Sequence, residues 1–138
     1  MTCNTEQVAA LDPANLIGRP YRVGARGPDA YDCWGLIAAC CPWLPDDWAN
    51  EDLAVRKVIA IIEGQATDTR WRRESEPCAG AVAIFGTGQR ATHTGLVWPV
   101  FGGFRVIHAL PKVGVVSHQI SMMERMGLRL KGIYTWHG

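Results

Sequence analysis

One cysteine and two distant histidines are the residues best suited to chemistry. Cys33 lies in "YDCWGLIAAC" (31–40), directly after Asp32 and ahead of an apolar run. Asp32 is a good helix N-cap, so Cys33 falls in the first turn of the helix that follows. Free backbone N–H groups and the helix dipole there favour an anion, lower a thiol's pKa and can hold an oxyanion. Taken alone, Cys33 has three readings: a buried structural thiol, half of a disulfide, or a nucleophile. His93 opens one β-type run, "HTGLVWPV" (93–100), and His108 stands near the end of the next, "FRVIHAL" (104–110). A hairpin through Gly102 and Gly103 sets the start of one run beside the end of the other, making the two histidines neighbours. A base whose tautomer is held by a second residue is what activation of a thiol requires. The plainer reading of each histidine is a half-buried strand residue with one hydrogen bond. His118 and His137 read as exposed rather than catalytic. Zinc held by His93 and His108 with Cys33 or Cys78 has no local ligand pair behind it, so no metal or cofactor is expected.

The elements that must position these groups change character along the chain. A short helix is expected around Glu6 to Leu11, interrupted by Pro13, with a further turn at Asn15 to Ile17. "GRPYRVGARGPDAYD" (18–32) is Gly/Pro loop with one extended piece at Tyr21 to Val23. A buried helix follows to Pro42, then a second at 51–64, with Leu53, Val55, Val58, Ile59 and Ile62 at helical spacing. "RWRRE" (70–74) reads as a solvated turn. Beyond it, short β-branched runs at 81–85, 93–100, 104–110, 113–118 and 128–136, with a helical turn at 121–127, give an α+β fold with an antiparallel sheet.

The 138 residues suit a single domain, 1–138, with an ordinary apolar and charged balance. A formal net charge of +1 gives no case for nucleic acid. Apolar runs fall far short of the roughly 20 residues a membrane-spanning helix needs. No basic residue precedes the first apolar patch, so no signal peptide is read and a cytoplasmic protein is expected. The five cysteines, odd in number and without zinc spacing, accordingly read as reduced thiols.

In order and spacing, "GRPYRVGARGPDAYDCWGLI" (18–37), "GAVAIF" (80–85), "HTGLVW" (93–98) and "VIHA" (106–109) resemble the NlpC-type cell-wall cysteine peptidases. "GIYTW" (132–136) looks like that family's last strand. The resemblance implies a papain-like fold, with N-terminal helices and a nucleophile helix packed on a small antiparallel sheet. It implies hydrolysis of peptidoglycan stem peptides, typically between D-glutamate and a diamino acid. Carried over, Cys33 is the nucleophile, His93 the general base and acid, and His108 the residue orienting His93. Tyr21, twelve positions before Cys33, matches a substrate-contacting tyrosine, against the alternative of a packed strand residue. Asp32 matches a position that helps bind the stem peptide, although capping alone explains it. Trp34, Trp43 and Trp48 are core anchors or the rim of a substrate groove. Trp34 also replaces the family's usual serine; "DCWG" resembles the phage and prophage tail-assembly branch, which implies tail proteins as partners. Ala81 stands where "GDxxxF" has aspartate, a structural departure. Two other classes compete: a tail-structure module with little activity, and an amidase or acyltransferase on the same fold.

Overall fold

The computed structural model describes residues 11–44, 70–88 and 90–137, with Arg90 and Ala91 described by backbone alone. The helix expected around Glu6 to Leu11 falls almost wholly outside these residues, as do the helix expected at 51–64 and Trp48. A 3-10 helix (Pro13–Leu16) and α1 (Cys33–Cys40) precede the strands β1 (Trp71–Glu74), β2 (Val82–Thr87), β3 (Arg90–Val100), β4 (Gly103–Leu110) and β5 (Gly114–His118). A short helix α2 (Ile120–Arg125) then leads to β6 (Arg129–Trp136). The strands form one sheet in the order β1-β6-β2-β3-β4-β5, with every pairing antiparallel. The α+β class follows from this arrangement.

Period-2 alternation explains why the sheet is covered on both sides. Val82, Ile84, Leu96, Ile107 and Ala109 turn one way and join Trp34, Leu36 and Ile37 of α1 in one core. Ala83, Phe85, Val97 and Val106 turn the other way, onto Met123 of α2. α1 is apolar all round, the pattern of a helix enclosed by the protein, and it is enclosed, lying against β3 and β4. The loop before it is pinned to the sheet edge, where Gly18 N–H donates to Val115 O and Val115 N–H to Arg19 O.

Three expectations are corrected. "RWRRE" is not a turn: β1 pairs with β6, and Trp71 meets Trp136 edge-to-face at 5.2 Å. One buried residue in four gives no readable alternation, while exposed Arg72 and Arg73 put charge on what is an outermost strand among the described residues. The turn expected at Asn15 to Ile17 begins earlier, at Pro13, because Asp12 caps it and proline suits the first position. The cysteines are not all reduced: Cys78 is disulfide-bonded, whereas Cys33, Cys40 and Cys41 carry thiols.

Candidate active site

Asp32 fixes the point from which the site is built. It is 2% exposed, and its Oδ1 accepts from Gly35 N–H at 2.6 Å while Oδ2 accepts from Gly24 N–H at 2.8 Å. One oxygen therefore caps α1 and the other ties down the preceding loop, a carboxylate satisfied by two backbone donors. Its own N–H reaches Ala25 O at 3.0 Å. The approach is so close that a Cβ on Gly35 would be driven into the Ala25 carbonyl oxygen. Glycine in "DCWG" is thus required by loop and helix meeting face to face.

Cys33 is the first residue of α1 and is fully buried. The neighbouring thiols are chemically quiet. Burial pushes Cys40 up to about 11 and raises Cys41 further, so both stay protonated at neutral pH.

The histidines come from β3 and β4, strands that α1 lies against, but on the face opposite the α1 core. The β3–β4 hairpin brings His93 and His108 together, with Nε2 of His93 2.8 Å from Nδ1 of His108. They share a face of the sheet with Gly95, Val97 and Val106. Gly95 makes room there: a Cβ would be driven into Cγ1 of Val106 and would press on Cβ of His108 at 3.2 Å. His93 is 6% exposed and His108 wholly buried. Burial lowers His93 to about 4; burial first, then the flanking histidines, lowers His108 to about 3. Both rings are neutral at pH 7 and able to accept a proton.

His118, expected to be exposed, is half-buried in β5, with Nδ1 2.9 Å from Nε2 of His108. The signal was there to be read. A tight turn pairing Leu110 with Gly114 fixes the β4–β5 register and sets His118 diagonally across from His108. Three imidazoles therefore run in a line, with ring centroids 5.0 and 5.2 Å apart. Their nitrogens face one another in pairs instead of converging on a point. Among the described residues no group of His, Cys, Asp and Glu is arranged to hold a metal ion.

The remaining sequence candidates divide. Tyr21 is half-buried on the segment entering α1, bridged to Tyr31 and packed against the α1 core. Trp34 is 1% exposed inside that core, which places it away from any groove rim. Asp32 has both oxygens engaged by backbone. The structure thus joins the histidines to one another and seats Cys33 at the start of the helix packed on the other face of their strands.

The pattern of the NlpC/P60 family matches residues 18–130, a span holding Cys33 and all three linked histidines. The chain belongs to the NlpC/P60 family. Among curated relatives, a probable endopeptidase of Corynebacterium glutamicum is 34% identical over 103 residues, covering 74% of this chain and 42% of its own length. A second probable endopeptidase, from strain R of the same species, matches with the same figures. The chain thus spans about two fifths of the length of these relatives. The NlpC/P60 match runs from the loop before α1 into β6, so it takes in the loop–helix junction and the strands β2 to β5.

Proposed function

We propose that this NlpC/P60 chain is a cysteine peptidase that hydrolyses peptidoglycan stem peptides, at the bond between D-glutamate and the diamino acid. The observation that carries the reading is the buried His93–His108 pair, hydrogen-bonded at 2.8 Å within the family-matched span that also holds Cys33 at the start of α1. With Nε2 of His93 committed to His108, Nδ1 is the nitrogen left for the thiol. The reading requires Cys33 Sγ to reach it. His93, neutral at pH 7, takes the thiol proton as sulfur attacks the amide carbonyl. Backbone N–H groups at the start of α1 stabilise the tetrahedral oxyanion. His93 then gives the proton to the departing amine, and water activated by the same ring releases the acyl group from sulfur. His108 holds the ring in place, Tyr21 lines the approach to α1, and Asp32 acts through the helix start it caps.

The relatives' description as probable endopeptidases supports peptide-bond cleavage. The disulfide at Cys78 supports work outside a reducing cytoplasm. Within this proposal the protein is a phage or prophage tail component acting on the host wall. That part rests on "DCWG" (32–35).

Digestion of purified peptidoglycan by wild type and Cys33→Ala, with fragments read by mass spectrometry, tests the activity. Stem-peptide cuts from wild type alone are expected. Cuts between sugar and peptide would replace the peptidase with an amidase, and no products from well-folded wild type would reject the enzymatic reading. Immunoblotting of purified virions tests the tail assignment, which fails if the protein is absent from them.

A further inference from the structure

We propose that His118 is a positioning residue that selects the tautomer of His93 through His108. The catalytic consequence rests on the peptidase reading above; the tautomer coupling rests on geometry alone. His93, His108 and His118 make two nitrogen-to-nitrogen hydrogen bonds, at 2.8 and 2.9 Å, and both use opposite nitrogens of the central ring. Each such bond needs one proton, neither none nor two. A neutral imidazole has one N–H, so the choice at any ring fixes the other two. Two arrangements satisfy both bonds. In the first, every ring carries its proton on Nε2, His93 donates to His108, and His108 donates to Nδ1 of His118. In the second, every ring carries it on Nδ1 and the donations run backwards.

Only the first leaves a lone pair on Nδ1 of His93, the nitrogen left for a thiol. The decision cannot be made at His108, which is wholly buried and has both nitrogens engaged within the line. His118 sits at the other end, the last residue of edge strand β5, half-buried, and it is the terminal acceptor the first arrangement needs. It orients a base through an intermediary and touches no reacting atom.

Imidazole 15N–1H correlation spectra of the folded protein, without substrate and at a pH where all three rings are neutral, read the tautomers directly. Wild type is expected to show Nε2–H alone on His93 and His108. His118→Asp places an acceptor-only group near the former Nδ1 and is expected to keep that state. His118→Ala removes the acceptor and is expected to give mixed tautomers on both inner rings. His118→Leu, which fills more of the vacated volume, serves the same purpose should the alanine variant not fold. On stem peptide, kcat is expected to fall about tenfold or more in His118→Ala at little change in KM, and to recover in His118→Asp, the scale of losses from orienting partners. Nδ1–H on His93 in wild type, or unchanged single tautomers in the alanine or leucine variant, would overturn the proposal. The spectra need no turnover. An inactive protein with the expected tautomers would therefore refute the peptidase reading alone, and an active protein without them would refute only the role of His118.

Discussion

Lowering the pH from 7.5 to 4.5 should remove a large part of the domain's stability, and the buried histidines set the amount. In the native state His93 titrates at about 4 and His108 at about 3, both depressed mainly by burial. Unfolding returns each to the ordinary range near 6.5. Above that pH neither state binds these protons and there is no penalty. Below it the unfolded chain takes up two protons that the native protein refuses, so stability declines as pH falls towards the native values. At pH 4.5 the linkage amounts to about 2.5 kcal/mol for each ring, or about 5 kcal/mol together. A domain of this size has about 5 to 15 kcal/mol in total. Urea unfolding followed by tryptophan fluorescence at half-unit pH steps measures this directly. A His93→Leu, His108→Leu double variant should lose most of the slope between pH 6.5 and 4.5. A flat wild-type profile over that window, or an unchanged slope in the double variant, would refute the assignment of two buried neutral imidazoles.

Three substitutions probe the junctions around the site. Asp32→Asn keeps an acceptor for the Gly35 cap but cannot accept from both Gly35 and Gly24; a loss of about 1 to 3 kcal/mol is expected in urea unfolding. Gly35→Ala drives a methyl into the Ala25 carbonyl and should cost more than about 3 kcal/mol, read as a collapse of soluble yield or of the thermal midpoint. Gly95→Ala displaces Val106 and crowds His108, so hydrolysis should fall while circular dichroism retains the sheet.

Much of the sheet was legible because its strands announce themselves. β2 to β6 carry β-branched or aromatic runs bounded by Gly or Pro, and the "FGG" turn (101–103) fixes the pairing that brings His93 to His108. Asp32 before an apolar run likewise announced the start of α1. β1 was hidden because it is an edge strand whose stability comes from Trp71 against Trp136, 65 residues apart, with no local pattern to show it. His118 was hidden for another reason. A histidine at the end of a strand looks exposed until the short β4–β5 turn is used to set the register and shows which ring lies diagonally opposite. Trp34 was ambiguous because tryptophan serves both cores and groove rims, and only burial decides between them.

The strand order has a consequence for how the protein is made. β6, drawn from residues 129–136, is not at an edge but between β1 and β2, and it pairs with both. On the ribosome, β2 to β5 can associate as soon as they emerge, since each pairs with its sequence neighbour. The outer flank of β2 then stays unpaired until residue 136 has left the exit tunnel, and β1 has no partner before that moment. Such an open flank invites strands from other nascent chains. Completing the domain is therefore a late, non-local event, and an arrest sequence that halts synthesis before β6 is exposed should leave an unfinished and aggregation-prone sheet.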